Sequence, residues 1–146
     1  MKLFIFDAGS KNIRTSIALL LVRLTFGGMM LFGHGLNKLN IPKETISTWP
    51  KPFYISFLSE EAAYWLTVIT EIGFAGLFIL GFATRLVSSV MCLLMVTAAF
   101  IIHADHAFFS GPGISQSKEL ALVYLAGYLT ILISGAGRFS IDGIKK

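Results

Sequence analysis

The chain has 146 residues, the size of one domain, of which 55% are hydrophobic and only 14% charged, with a formal net charge of +4; an ordinary soluble domain carries about 25% charged residues. A soluble domain of this length cannot bury so much apolar surface, so composition excludes a water-soluble globule and points to a bilayer, where lipid covers apolar faces. The basic residues sit at the edges of apolar runs rather than in a polar stripe, which excludes a nucleic-acid partner, and the lone Cys92 excludes an intrachain disulfide or two-cysteine redox centre.

Four apolar stretches reach about the 20 residues that a bilayer core demands. They predict transmembrane helices at residues 17–36, 62–82, 86–103 and 119–136 within one membrane domain, 1–146. The opening resembles a signal peptide, but Arg23 interrupts the apolar run and no small-residue cleavage site follows, so the first segment is read as a permanent helix. No stretch contains proline; Pro42, Pro50, Pro52 and Pro112 fall between them, where a missing N–H is harmless.

The connections differ in kind. Residues 37–61 join the first two helices and hold Trp49, Phe53, Tyr54 and Phe57, with Tyr64 and Trp65 beyond. These read as an aromatic belt at one interface, carried either on a short amphipathic element or on a plain surface loop. Only Ala83-Thr84-Arg85 separates the second and third helices, predicting a tight antiparallel hairpin with Thr84 as N-cap. Residues 104–118 contain Gly111-Pro112-Gly113 and predict a turn-rich loop.

Orientation follows from Lys and Arg outside the helices. One side carries Lys2, Lys11, Arg14, Arg85, Arg138, Lys145 and Lys146; the other carries Lys38, Lys43, Lys51 and Lys118. The expected fold is therefore an all-α membrane protein, a four-transmembrane-helix antiparallel bundle with both termini cytoplasmic.

Two charges lie deep in apolar spans. Arg23 stands about 9 Å into the first helix and Glu71 near the centre of the second. A charge at such depth costs at least about 2.5–3.5 kcal/mol and normally faces the bundle with a partner. Arg23 is expected to pair with Glu71, as a clamp that fixes register or as a proton- or substrate-handling pair; the alternative is that Arg23 snorkels to the interface.

A second cluster gathers toward the opposite end. His34 and Lys38 lie a turn apart at the exit of the first helix, His103, Asp105 and His106 follow the third, and Glu119 opens the fourth. Together they predict a polar pocket. Their spacing matches no established zinc motif, so hydrogen-bonded helix ends or pocket walls are expected, with neither metal nor haem. Cys92 lies about 16 Å along its helix from His103, too far for a thiolate–imidazole dyad, and reads as packing. There is no glycine-rich phosphate loop, Rossmann fingerprint or Ser-His-Asp order.

From about Ala18 to Asp142 the sequence resembles the DoxX family, which includes the DoxD-type small subunits of membrane thiosulfate–quinone oxidoreductases. The resemblance rests on LLLVRLTFGGMMLFGHGLNKL, TEIGFAGLFILGFATR, FIIHADHAFF and LISGAGRFSID, taken in that order. In the last, Ala136 replaces the proline of the family's closing Gly-Pro-Gly-x-x-Ser-x-Asp pattern, which affects only how the fourth helix ends. The resemblance implies a small bacterial inner-membrane bundle associated with a soluble or membrane redox partner, and transfers fold better than chemistry; a homo-oligomer is expected if four helices are to form a permeation path. The expected function is a subunit of a quinone-linked oxidoreductase that binds a quinone or a small sulfur compound near the outer leaflet. A permeation helper relaying protons through Glu71 or the histidines, and a non-catalytic anchor for a soluble partner, are the alternatives.

Overall fold

The computed structural model describes residues 4–10 and 12–144. Among these no β-strand forms, and the only bridge joins Ala107 to Ser117. Four long helices dominate: α1 (Ile13–Lys38), α2 (Glu60–Leu80), α3 (Thr84–Ile102) and α4 (Glu119–Ser134). The first three are long and apolar enough to cross a bilayer; α4 is a shorter apolar helix of 16 residues. At 1.5 Å per residue α4 spans about 24 Å, short of a hydrocarbon core of roughly 30 Å. It stops at Ser134 because Gly135 takes φ +82°, a conformation that L side chains rarely adopt, and turns the chain back.

The helices begin where the chain supplies caps. Asn12 accepts from Arg14 N and Thr15 N at α1, and Ser59 accepts from Ala62 N at α2. Thr84, expected to cap α3, does not. It is the first helical residue, and the capping carboxylate comes from Asp142, far along the chain: Ala83 N and Thr84 N donate to Asp142 at 3.0 and 2.8 Å, and the Thr84 hydroxyl at 2.7 Å. Ala83 takes φ +46°, and its bond to Asp142 holds this left-handed conformation. Burying a carboxylate at a helix N-terminus is favourable because the helix dipole and the free N–H groups both solvate it.

α3 packs along α4, and α1 packs on both α4 and the Ala75–Leu80 half of α2. The core between them contains Leu19, Phe78, Met91, Cys92, Tyr128 and Ile131. Cys92 is a free, buried thiol within this core. Residues 4–10, the turn at 81–83 and residues 135–144 gather at one end, here the terminal end; the connections 39–59 and 103–118 form the loop end. Of the basic residues used to orient the chain, Lys2, Lys11, Lys145 and Lys146 lie outside the described residues.

The expected aromatic belt is divided. Phe53, Phe57 and Trp65 are exposed, whereas Trp49 stands edge-on to the buried Tyr64 and the Tyr54 hydroxyl meets the Thr97 hydroxyl on α3. Lys51 ties the loop back on itself, bonding Leu58 O at 3.1 Å and Glu60 at 2.6 Å. Residues 37–61 thus form neither a lone amphipathic helix nor an open loop, but a folded cover containing two short turns, Lys43–Ile46 and Phe53–Ile55.

Candidate functional site

Arg23 and Glu71 do not pair. Arg23, 2% exposed, gives Nε to Phe78 O (3.1 Å), Nη2 to Ile79 O (2.6 Å), and Nη1 to Ala136 O and Phe139 O (2.7 and 2.9 Å). The fork of guanidinium donors satisfies the orphan carbonyls ending α2 and fastens the chain after Gly135 onto them. Its hydrogen-bond partners are main-chain carbonyls at the terminal end rather than the Glu71 carboxylate, so the expected pair does not describe it. With Arg85, which bonds Asp7 O and Leu132 O, and with Asp142, it forms a structural lock at the terminal end.

Glu71 pairs instead with Lys38, Nζ to Oε2 at 2.5 Å, with the two side chains only 18% and 8% exposed. Local backbone geometry brings them together. α1 widens into a π-helical turn at Met29–Gly35 and α2 at Thr70–Phe74, and the two widened turns pack against each other. At their contact Gly35 has no side chain: a Cβ there would meet Glu71 O at 2.9 Å and Ile72 Cγ1 at 2.7 Å. Close approach of the backbones places Lys38, a turn further on, over the Glu71 carboxylate. The Lys38 carbonyl accepts from the Tyr64 hydroxyl, and Nζ stands 6.0 Å from the Trp49 ring centre, so the lysine is held from both ends.

α3 also widens, at Ala98–Ile102, where His103 N donates five residues back to Ala98 O. Three π-helical turns on three helices therefore surround one region, and such turns occur frequently at functional sites. That region is hollow on both sides of the ion pair. A cavity of about 450 Å³ lies between α2 and α3 under the 49–55 segment, with Lys38, Glu71, Thr67, Thr97 and His103 as its polar wall and Leu66, Leu93 and Met95 among its apolar lining. A smaller one, about 210 Å³, lies between α1, α3 and α4 and is lined by His34, Lys38, Glu71, His103 and Tyr124. Lys38, Glu71 and His103 face both.

Of the residues expected to form one pocket, the structure brings together His34, Lys38 and His103 and adds Glu71. His106 stands behind His103, rings 4.9 Å apart and nearly parallel, with Nδ1 to Nδ1 at 3.0 Å, and does not line either cavity. Asp105 is exposed, and Glu119 accepts from Ser110 N at 2.8 Å, tying down the loop instead of facing the pocket. Asp105 lies in the 103–118 connection and Glu119, at the start of α4, bonds back to that connection, so this part of the expected cluster does not converge. Among the described residues no three His, Cys, Asp or Glu side chains are grouped as metal ligands.

Burial holds the His103 imidazole below its ordinary value, and neighbouring His106 adds to the effect. Because the fold favours the neutral ring, the stability linked to His103 is complete above about pH 6.5, the unfolded value, and falls as acid protonates the unfolded chain first. Nitrogen NMR of the labelled imidazoles should show His103 titrating below free histidine and moving part of the way back in His106→Gln. A normal His103 titration in the wild type would contradict the stacked pair.

The DoxX family model matches residues 18–104, and the chain belongs to that family. The match contains Arg23, His34, Lys38, Glu71 and His103, and ends before Asp105, His106 and Glu119. An uncharacterized protein of Haemophilus influenzae is similar, 28% identical over 144 residues that make up 96% of this chain and 91% of the relative. No solved structure matches. With three helices of membrane length, this DoxX chain is a small multi-pass membrane protein.

Proposed function

We propose that this protein is a ligand-binding membrane subunit of a quinone-linked oxidoreductase system, and that the ligand head sits against Lys38 and Glu71. The observation that carries the reading is the buried ion pair forming a wall common to two cavities. A cavity of about 450 Å³, mostly apolar with a few converging polar groups, falls in the roughly 300–1,000 Å³ range of small-molecule sites. A quinone, when bound, supplies a two-electron, two-proton acceptor. Lys38 offers an ammonium donor to a carbonyl oxygen there, a contact that strengthens as negative charge develops on that oxygen. Glu71 holds the ammonium in place, and His34 and His103 line the smaller cavity on the other side of the pair, where histidine is suited to proton transfer. A single cysteine and no nucleotide loop leave electron delivery to a partner subunit.

In this reading α4 crosses as the fourth span, packed along α3, and both termini face the cytoplasm of a bacterial inner membrane. A reporter fused after Lys146 is then expected to be cytoplasmic and one inserted at Lys43 exported; the reverse pattern would move the site to the inner leaflet. Both cavities lie in the loop half, while Arg23, Phe78 and Tyr128 fill the terminal half, which favours a binding site over a through-path. Extraction of protein purified from native membranes tests the function. Near-stoichiometric quinone from the wild type, lost in Glu71→Gln, supports it, and its absence from well-folded wild type would oppose it.

A further inference from the structure

α2 and α3 leave their hairpin turn in contact and separate toward the loop end. The Thr70–Phe74 and Ala75–Leu80 parts of α2 pack against α3, whereas Glu60–Ile69 does not pack on it to a comparable degree. The larger cavity fills the resulting wedge. Its roof is the cover loop, with Pro50, Pro52 and Tyr54 over it and the Tyr54–Thr97 hydroxyl bond strapping cover to α3. Its floor is the Lys38–Glu71 pair. Its two side lips are Leu66 on α2 and Leu93 on α3, 46% and 58% exposed, on helices of membrane length.

Exposed leucines on two apolar spans face acyl chains, so a cleft between them opens into lipid. From the water, the cover loop stands in the way. A solute arriving from solution meets a folded roof, whereas one dissolved in the bilayer meets a slot whose lips match its own apolarity. We infer that the ligand enters sideways from the membrane between Leu66 and Leu93, and that it is an amphiphile with a hydrogen-bond-accepting head on Lys38 and a long apolar tail left lying in the slot. The division of the cavity fits this shape. Charged and hydroxyl groups gather at Lys38, Glu71, Thr67 and Thr97, and the way out runs past Leu66, Val90 and Leu93. A head fits within about 450 Å³, and a long tail must continue past the lips. This inference rests on the binding site proposed above and adds its route and the requirement for a tail.

The test uses the full chain in lipid nanodiscs and a benzoquinone whose decyl tail ends in a photoreactive diazirine. Saturable labelling mapped to the Leu66 and Leu93 lips, displaced by unlabelled decyl-benzoquinone, is expected. Saturable labelling in residues 104–118 instead would overturn the lateral route while leaving the binding site intact. No saturable labelling anywhere would remove the site and the route together. A second measurement uses Leu93→Trp, an exposed position where added bulk narrows the slot without entering the core. The tailed probe is expected to bind at least about tenfold more weakly, with tailless benzoquinone unchanged. Equal effects on both probes would contradict the inference.

Discussion

Replacing Arg23 with glutamine is expected to destabilise the protein by about 3 kcal/mol or more. Four carbonyls on two segments accept from this guanidinium. Glutamine has two amide donors on a shorter stem, and each buried acceptor left without a partner costs roughly 1–3 kcal/mol. Lysine keeps the charge but not the fork, so Arg23→Lys should recover only part of the loss. Adding Glu71→Gln should be additive within about 0.5 kcal/mol, since the two side chains share no partner. Thermal unfolding of the two singles and the double in detergent measures this. Coupling well above that margin would show that Arg23 and Glu71 interact after all.

The second large effect belongs to Lys38 and Glu71. Removing one member strands the other's charge in a region only 18% or 8% exposed, and breaking a buried pair from one side costs roughly 3–5 kcal/mol. Lys38→Met and Glu71→Gln should each fall in or near that range, with the double losing less than their sum by roughly 1–3 kcal/mol. Ligand binding should not recover with stability. The double variant keeps the packing of Gly35 on Glu71's backbone but no longer offers a charged donor to the cavity. Recovery of both in the double variant would make the pair structural only.

These two residues also show what a sequence reveals. That Arg23 and Glu71 are buried charges needing partners follows from depth alone, and both are buried. Their partners do not follow. Arg23 is satisfied by main-chain carbonyls, which have no side-chain signature, on a segment that returns only because Gly135 turns the chain. Lys38 was legible as part of the polar mouth but not as the partner of Glu71. An ideal α-helix puts Lys38 a turn beyond His34 but does not register the widened turn at Met29–Gly35, which puts Gly35 against α2. Asp142 capping α3 escapes for the same reason as Ala136 and Phe139: long-range closure of the chain is not periodic. The helices themselves were legible because twenty-residue apolar runs have little alternative, while α4 ends two residues early at the same Gly135 turn. Of the six aromatics read as a belt, Tyr64 is buried with its hydroxyl on the Lys38 carbonyl, Trp49 stands half-buried against it beside Lys38, and Tyr54 keeps an exposed ring while its hydroxyl meets Thr97.

The central claim is that the Lys38–Glu71 pair binds a quinone head, and Trp49 is placed to report it. Its ring lines the same cavity, and Trp65 is the only other tryptophan in the chain. In Trp65→Phe protein in nanodiscs, decyl-benzoquinone should quench Trp49 fluorescence saturably, and Lys38→Met or Glu71→Gln should weaken that quenching at least about tenfold. Quenching that rises linearly with quinone in the membrane, and is the same in all three proteins, would contradict the account.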